Sequence, residues 1–217
     1  MSKTSSIRCL ITAGPTREFF DPVRFISNPS TGKMGYALAQ AALDQGWSVD
    51  LVSGPVCLQE PDGAILYPVV SAEEMFHQVD ALFDVCDVFI MSAAVSDFKP
   101  LEYTSKKVKK AEVDKSVLMA QTIDILKTIA ERKQTQFIVG FAAETENLEV
   151  HAKAKLESKS CDWIVANKIG QEGLGFGSDN NVVSIFRRDG TDATHGPASK
   201  VALGKLIIDL INKVITE

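Results

Sequence analysis

Seven short apolar runs recur along the chain, and segments with helical periodicity separate them. The runs cover residues 7–13, 48–53, 65–70, 87–94, 136–143, 162–166 and 182–187. Most are continuously apolar, whereas a strand with one face in water alternates apolar and polar side chains. Continuous runs are typical of strands that are buried on both faces of a parallel sheet. The sequence therefore predicts an α/β fold with a mostly parallel sheet flanked by helices.

Apolar residues at helical spacing predict five helices, over residues 30–45, 71–83, 122–132, 148–158 and 198–215. The second begins at Ser71 and has Glu74 three positions later, which is the pattern of a capping box. The last helix has one apolar face, suited to packing on a sheet. Its members are Leu203, Leu206, Ile207, Leu210, Ile211 and Val214.

The chain has no internal repeat and no low-complexity linker, and its 217 residues predict a single domain over residues 1–217. Asp189-Gly190 follows the seventh run and predicts a hairpin turn, which adds an antiparallel edge near the C-terminus. Residues 98–115 lack apolar periodicity and are rich in lysine. Because this segment follows the fourth strand, we expect a flexible loop that can close over a ligand at that strand's end.

Composition and charge exclude several classes of protein. With 23 Lys and Arg against 28 Asp and Glu, the net charge is −5, which argues against general binding to nucleic acid or to an anionic membrane. The apolar runs are well short of the roughly 20 residues that cross a bilayer. No apolar signal peptide follows Met1, and the four cysteines have no paired spacing, so we expect a cytoplasmic location and reduced thiols.

Small and polar residues end four of the predicted strands, and ligands bind beyond the carboxyl ends of strands in sheets of this type. The first helix opens with Ser30, Gly32 and Gly35, whose backbone N–H groups would favour an anion such as phosphate. This segment matches neither the P-loop nor the G-x-G-x-x-G pattern. Carboxylates near the same edge would hold Mg²⁺ or a ribose, or cap helices. They are Asp97, Asp124 and Glu144.

Two functions other than phosphate-ester or acyl chemistry at this edge stay open on these residues. Tyr103 and Lys107 have the Tyr-x-x-x-Lys spacing of short-chain dehydrogenases, which would indicate an NAD(P)-binding oxidoreductase. The segment lacks helical periodicity and no glycine fingerprint accompanies it, which argues against that reading. The second alternative is a nucleotide-binding module without catalytic activity.

Eight segments, taken together and in order, resemble those of bacterial phosphopantothenoylcysteine synthetases. They are residues 11–18, 21–28, 30–35, 93–100, 107–110, 139–145, 162–167 and 176–180, and they cover nearly the whole chain. Each is weak alone, but eight in the family's order make a chance resemblance improbable. The chain departs from the family pattern at Pro29 and Ile123.

The resemblance implies a Rossmann-like fold, a homodimer and a ligase of coenzyme A biosynthesis. The implied reaction joins 4′-phosphopantothenate to L-cysteine, uses CTP and Mg²⁺, and releases CMP and pyrophosphate through an acyl-cytidylate intermediate. ATP in place of CTP stays open, because no motif reveals the choice of base. Many family members are fused to a flavin-dependent decarboxylase. Since this chain begins at the synthetase motifs, we expect a stand-alone synthetase without flavin, with a separate phosphopantothenoylcysteine decarboxylase as a possible partner.

The resemblance also implies roles for individual residues, without assigning metal ligands. Asn28 matches the asparagine that turns over the acyl intermediate, and we expect it to donate a hydrogen bond to the intermediate's carbonyl. Lys107 matches a loop lysine that contacts the nucleotide. Positions that match phosphate contacts are Gly14, Ser30, Gly32 and Gly35. Positions that match nucleotide contacts are Met91, Ser92, Ala93, Asp97, Ile123, Asp124, Ile125, Leu126, Phe141, Lys155 and Lys159.

Overall fold

The computed structural model describes residues 6–109, 116–168 and 177–217. In this part of the chain twelve strands and five helices alternate. In order they are β1 (Arg8–Ala13), β2 (Arg17–Phe19), β3 (Phe25–Ser27), α1 (Lys33–Asp44), β4 (Ser48–Ser53), β5 (Ile65–Pro68), α2 (Ala72–Phe83), β6 (Val88–Met91), β7 (Phe98–Pro100), β8 (Met119–Gln121), α3 (Ile125–Ala130), β9 (Phe137–Glu144), α4 (Leu148–Ser158), β10 (Trp163–Lys168), β11 (Asn180–Arg187), β12 (Ala193–Ser199) and α5 (Lys200–Thr216).

Eight of the strands form one sheet in the order β12-β11-β10-β9-β6-β1-β4-β5. The six from β5 to β10 are parallel, whereas β11 and β12 run antiparallel to their neighbours. This confirms the predicted α/β fold, including the antiparallel strands near the C-terminus. The chain runs outward from β1 to β5 and then returns to β6 on the other side of β1. Such a reversal leaves a crevice at the carboxyl ends of the two central strands.

Consecutive residues of β1 belong to two separate hydrophobic clusters. Cys9 and Ile11 pack in the cluster that contains α1 and α5, and Leu10 packs in the cluster that contains α2, α3 and α4. The sheet is therefore covered by helices on both faces, which explains why the strands are continuously apolar. None of the helices in the described ranges is both long enough and apolar enough to cross a membrane.

Side chains cap three of the five helices in the described part of the chain. Ser71 and Glu74 form the predicted capping box of α2. Asp124 caps α3 by accepting from Lys127 N, and Ser199 caps α5 by accepting from Ala202 N. Helix α1 begins after Gly32, which offers no side chain as a cap. The first N–H groups of α1 are therefore left for another acceptor.

Two small antiparallel ribbons, β2–β3 and β7–β8, lie outside the central sheet and were missed by the sequence analysis. Each of their strands has three residues, too few for an alternating pattern to be recognised. Phe98–Pro100, which the sequence assigns to the lysine-rich loop, form β7 and pair with β8. The rest of the predicted loop is described only at residues 101–109, and residues 110–115 lie outside the described ranges.

Two further expectations fail in detail. Helix α3 begins at Ile125 rather than at residue 122, because Asp124 has extended backbone and serves as its cap. Val214 was expected on the buried face of α5, but its side chain is 50% exposed. The α5 face that does pack on the sheet is formed by Leu203, Ile207 and Ile211.

Gly204 lets α5 approach α1 closely, and its substitution tests this packing. A β-carbon at Gly204 would lie 2.9 Å from the carbonyl carbon of Ala37. Helix propensity alone would make Gly204→Ala stabilising by about 1 kcal/mol. We expect the opposite sign, a loss of about 1–3 kcal/mol in the free energy of unfolding, because the helices must move apart. Urea titration measures this change.

Val201→Ala, at a position of α5 that is 72% exposed, serves as the control. We expect it to change the free energy of unfolding by no more than about 0.5 kcal/mol. A Gly204→Ala variant more stable than the original protein would contradict the packing argument.

Candidate active site

Two cavities meet beyond the carboxyl ends of β6 and β9. Ala93, Val95, Asp97 and Phe141 line both. One cavity, of about 340 Å³, lies on the α1 side of the sheet and is called here the α1 cavity. The other, of about 480 Å³, is bordered by α3 and α4 and is called the α4 cavity. The arrangement places two binding spaces on either side of one stretch of backbone, residues 92–97, which follows β6.

The α1 cavity contains the uncapped start of helix α1. Ser30, Gly32 and Gly35, which the sequence analysis assigns to phosphate binding, all line it. Gly32 has a positive φ of 78°, which glycine adopts without strain. Ser30 Oγ accepts from Gly32 N at 3.3 Å. The N–H groups of the first turn and the helix dipole make this end of α1 suited to an anion.

Gly35 and Gly14, both of which the sequence analysis assigns to phosphate binding, have different structural roles. A β-carbon at Gly35 would lie 2.5 Å from Ala13 Cβ and 2.7 Å from Ser92 Oγ, so Gly35 also lets α1 pack on β1. Gly14 does not line either cavity. It is buried, has a φ of 73° and lies beneath Gly32 in the turn after β1. Gly14 therefore supports the start of α1 from below and is not itself at the cavity surface.

Asn28 lines the α1 cavity, but its amide nitrogen faces the protein. Nδ2 donates to the carbonyl oxygens of Ala94 at 3.2 Å and Val95 at 3.0 Å. Backbone carbonyls only accept hydrogen bonds, so these contacts fix which end of the amide points toward them. The expected donation from Asn28 to an acyl carbonyl is therefore not available in this arrangement. Its Oδ1, an acceptor, is the atom left for a ligand.

Two buried threonines, which the sequence analysis did not select, hold the backbone after β6. Thr12 Oγ1 accepts from Ala93 N at 3.2 Å, and Thr16 Oγ1 accepts from Ser96 N at 3.0 Å. Both threonines are fully buried. For Thr12 a signal existed in the sequence, because a hydroxyl inside an apolar strand must find a hydrogen-bond partner when it is buried.

The α4 cavity brings together most residues that match nucleotide contacts. It is lined by Met91, Ala93, Val95, Asp97, Phe98, Gln121, Thr122, Asp124, Ile125, Leu126, Phe141, Lys155 and Lys159. Ser92 instead lines the α1 cavity. Lys155 and Lys159 lie one helical turn apart and line the same cavity, and that they face one ligand stays a prediction.

Each of the two lysines is paired with a carboxylate. Lys155 Nζ lies 2.7 Å from Glu144 Oε1, and Lys159 Nζ lies 3.1 Å from Asp124. Glu144 also contacts His151 at 3.1 Å. Burial raises the pKa of Glu144, but the hydrogen bonds and charges of Lys155 and His151 together bring this pKa below its ordinary value. Glu144 is therefore ionised at neutral pH and holds the Lys155 side chain in place.

These contacts narrow the roles of the three candidate carboxylates. Asp124 is a helix cap and an ion-pair partner, and Glu144 is an ion-pair partner. Asp97 lines both cavities, and its carboxylate has neither an ion pair nor a hydrogen bond within the described residues. Within these same ranges, no cluster of three or more His, Cys, Asp or Glu side chains could hold a metal ion.

Lys107 and Ile123 do not line either cavity. Ile123 is half-buried and packs in the core beneath α3. Lys107 is exposed, within residues 101–109. That segment is not helical and Tyr103 is 60% exposed, so the Tyr-x-x-x-Lys spacing does not form the helical pair of a dehydrogenase.

Lys200, at the start of α5, lines the α1 cavity and was missed by the sequence analysis. Its side chain is 8% exposed. Burial, and then the nearby charge of Lys33, lower the pKa of Lys200. Nothing in the local pattern marks it, because a lysine at the start of an apolar helix is ordinary. Its position depends on α5 packing beside α1.

The chain matches known proteins over nearly its whole length. Residues 4–215 match the model of the DNA/pantothenate metabolism flavoprotein C-terminal domain. The coenzyme A biosynthesis bifunctional protein CoaBC of Bacillus subtilis (strain 168) is 50% identical over 182 residues, which are 83% of this chain and 45% of that protein. The chain spans about half the length of the curated relatives it matches.

Solved structures agree with this match. The C-terminal domain of a CoaBC protein has a TM-score of 0.83 and 38% identity, over 97% of this chain and 96% of that one. A Cab2 mutant in complex with phosphopantothenate-cysteine has a TM-score of 0.79 at 18% identity, over 95% of this chain and 85% of that one, which shows a shared fold.

The family model matches residues 4–215 of this chain, and the identity to CoaBC proteins supports the same family assignment. This chain belongs to the DNA/pantothenate metabolism flavoprotein C-terminal domain family.

Proposed function

We propose that this chain is a phosphopantothenate–cysteine ligase of coenzyme A biosynthesis. The observation that supports it most is the pair of cavities that meet at residues 92–97. One has the uncapped start of α1 and the other has two lysines, so each suits an anionic ligand. A ligase of this kind must bring two anions, a substrate carboxylate and a nucleotide triphosphate, into contact. The relatives are bifunctional, and the stand-alone form stays a prediction.

We assign 4′-phosphopantothenate to the α1 cavity and the nucleotide to the α4 cavity. The phosphate would bind the N–H groups around Ser30, Gly32 and Gly35. The nucleotide phosphates would bind Lys155 and Lys159, and Met91 and Ala93 with Ile125 and Leu126 would surround the rest. Asp97 and Phe141 line both cavities and would stand where the two ligands react.

The proposed chemistry has two steps. The pantothenate carboxylate attacks the α-phosphorus of CTP, the bond to the bridging oxygen breaks, and pyrophosphate leaves. The amine of L-cysteine then attacks the acyl carbon of the cytidylate, the C–O bond breaks, and CMP leaves as the nitrogen loses a proton. The first step gathers negative charge, so lysines, including Lys107, and the start of α1 would stabilise it.

Mg²⁺ is part of the proposal, held by Asp97 together with the nucleotide phosphates. One or two carboxylates plus substrate phosphates are a common Mg²⁺ donor set, and the unengaged carboxylate of Asp97 fits it. Bound Mg²⁺ supplies further neutralisation of the phosphate charge. The ligation transfers no electrons, so we assign no flavin to this domain.

Asn28 would act in the second step through Oδ1. Since its Nδ2 is bonded to Ala94 and Val95, only Oδ1 is left to contact a substrate. An amide oxygen accepts from an amine, and we assign it to the amine of L-cysteine. The same two bonds fix residues 94–95 between the cavities, so Asn28 would also shape the site.

A second copy of this chain is the protein partner we propose. Exposed apolar side chains lie in and beside the β2–β3 and β7–β8 ribbons, and an exposed apolar surface of this kind is typical of a protein interface. They are Val23, Phe25, Phe98, Leu101, Tyr103, Leu118 and Met119. The fused decarboxylase of the relatives makes a separate decarboxylase a further candidate, and we place the reaction in the cytoplasm.

The reaction itself is the first test. With CTP, Mg²⁺, 4′-phosphopantothenate and L-cysteine, we expect pyrophosphate release that stops when 4′-phosphopantothenate is omitted. A coupled pyrophosphate assay measures it, and ATP replaces CTP at limiting concentration to determine the nucleotide. Nucleotide binding without pyrophosphate would indicate the non-catalytic module, and preferential NADPH binding would indicate an oxidoreductase. Either result at saturating substrates would contradict the ligase.

Asn28→Ala tests the second step. We expect the acyl-nucleotide to accumulate while ligation slows about 100-fold, because the amine loses its acceptor and residues 94–95 lose their anchor. Quenched-flow samples analysed by mass spectrometry measure the intermediate.

Ser27→Ala is the matched control for Asn28→Ala. Ser27 precedes Asn28, and its Oγ donates to Thr16 O at 2.7 Å without lining either cavity. We expect this variant to ligate at nearly the original rate. Normal turnover of the intermediate in Asn28→Ala would remove Asn28 from the mechanism.

Lys155→Gln tests the nucleotide site. Loss of the ammonium removes a charge-assisted hydrogen bond and leaves Glu144 without its lysine partner beside the phosphates. We therefore expect the Kd for nucleotide to rise about tenfold or more. Isothermal titration calorimetry measures it, and the Kd for 4′-phosphopantothenate should stay within about twofold of its original value.

Lys153→Gln is the control on the same helix. Lys153 pairs with Glu149 at 2.7 Å and lines neither cavity. We expect no change in nucleotide affinity for this variant. Equal effects of Lys153→Gln and Lys155→Gln on nucleotide affinity would mean that only the overall charge matters. That result would contradict the assignment of the nucleotide to the α4 cavity.

A further inference from the structure

Asp21 is a fully buried carboxylate that the proposed chemistry does not use. It lies in the turn between β2 and β3. Its Oδ1 accepts from Val23 N and Arg24 N, each at 2.9 Å. Its Oδ2 accepts from the Arg24 side chain and, at 3.2 Å, from Val108 N. The Arg24 hydrogen bonds, ahead of those from the backbone, hold the pKa of Asp21 well below its ordinary value, so it stays ionised.

The two oxygens of Asp21 serve different purposes. An aspartate that only stabilises its own turn needs the bonds to the N–H groups two and three residues on, and Oδ1 makes both. Oδ2 reaches across to Val108, which is 87 residues later in the chain. The turn does not require that second contact.

The contact to Val108 fixes the segment that contains Lys107. Val108 N donates to Asp21 Oδ2, and Val108 O accepts from Arg24 Nη2 at 2.9 Å. On the other side of Lys107, Thr104 N donates to Phe20 O at 3.0 Å. Residues 104–108 are therefore tied to the β2–β3 turn at both ends, and Val108 directly follows Lys107 in the chain.

The same hairpin leads to Asn28. Strand β3 ends at Ser27, and Asn28 then bonds to the backbone between the two cavities. Through Asp21 at its turn, the hairpin is bonded to residues 104–108, which contain Lys107. Through Asn28, which follows its last strand, it is bonded to the backbone between the two cavities. Strand β3 lies between Asp21 and Asn28, so the hairpin fixes the distance between these two attachments.

We propose that Asp21 is a positioning residue. Lys107 lines neither cavity in this structure, and Asp21 holds the backbone beside it, from which the lysine side chain reaches a bound nucleotide. The inference rests on the proposed function, because it assumes that Lys107 contacts the nucleotide. Asp21 itself touches no substrate. Its effect on the reaction therefore has to pass through Lys107, and this distinguishes positioning from a general loss of stability.

A double-mutant cycle tests the proposal. Asp21→Asn, Lys107→Ala and the double variant are compared by the single-turnover rate of acyl-nucleotide formation. We expect Asp21→Asn to slow this step about tenfold or more, since small misplacements of a reacting group have effects of this size. In the double variant we expect no further loss beyond that of Lys107→Ala alone, because coupled residues are not additive.

Glu18→Gln is the matched control on the same hairpin. Glu18 is also a buried carboxylate, 5% exposed, and accepts from Ala72 N at 2.9 Å at the start of α2. Within the described residues, Glu18 makes no hydrogen bond or ion pair with residues 104–108. We expect this variant to lose thermal stability, and we expect whatever effect it has on the rate to multiply with that of Lys107→Ala.

Trypsin gives a readout that does not depend on activity. We expect Asp21→Asn to speed cleavage after Lys106 and Lys107, measured by mass spectrometry under native conditions, whereas Glu18→Gln should leave it unchanged. If Asp21→Asn fails to fold, Val108→Pro replaces it in both experiments, and cleavage is then followed after Lys106 alone, because trypsin does not cleave a bond that precedes proline. Proline removes the N–H group that bonds to Oδ2 and leaves the bonds within the turn intact.

Each outcome is decisive for one of the two claims. If Lys107→Ala forms the acyl-nucleotide at the rate of the original protein, Lys107 has no part in the proposed function. The trypsin result would still test whether Asp21 holds residues 104–108 in place. A slow Lys107→Ala together with a normal Asp21→Asn, or independent effects in the double variant, would overturn the positioning role. Unchanged cleavage in Asp21→Asn would also overturn it.

Discussion

The backbone that follows β1 is hydrogen-bonded to the backbone that follows β6, and both cavities depend on this pairing. Ala94 N donates to Gly14 O at 2.9 Å, and Thr16 N donates to Ala94 O at 3.3 Å. The hydroxyls of Thr12 and Thr16 add bonds to Ala93 and Ser96. Leaving such a buried group unpaired costs about 1–3 kcal/mol, so these contacts specify one path for residues 92–97. That path divides the crevice into two spaces.

The sequence predicts the sheet because burial on both faces leaves a strong pattern. β1 places Cys9 and Ile11 in one core and Leu10 in the other, so these three consecutive residues are all apolar. The ribbons leave no such pattern, because β2 and β7 have three residues each. Their existence depends on tertiary contacts such as those of Asp21, which a local pattern does not contain.

The site residues divide in the same way. Residues at strand ends and at the start of α1 were predicted to lie together, because parallel strands end at one edge of a sheet. Gly14 and Ile123 also lie near this edge, but one is under a turn and the other is in the core. Which end of the Asn28 amide faces the ligand depends on two carbonyls 66 and 67 residues away, so no reading of the sequence could fix it.

Paired charges explain how a chain of net charge −5 has cavities suited to anions. Lys155 and Lys159 are held by Glu144 and Asp124, so an anion that entered the α4 cavity would meet cations whose positions are already fixed. Such preorganisation reduces the entropy lost on binding, although the ligand must share each lysine with a carboxylate. The β2–β3 hairpin extends the same principle to the backbone, because its buried Glu18 and Asp21 bind α2 and residue 108. The hairpin's outer face exposes Val23 and Phe25, so a partner that covers this face would act on the position of Asn28.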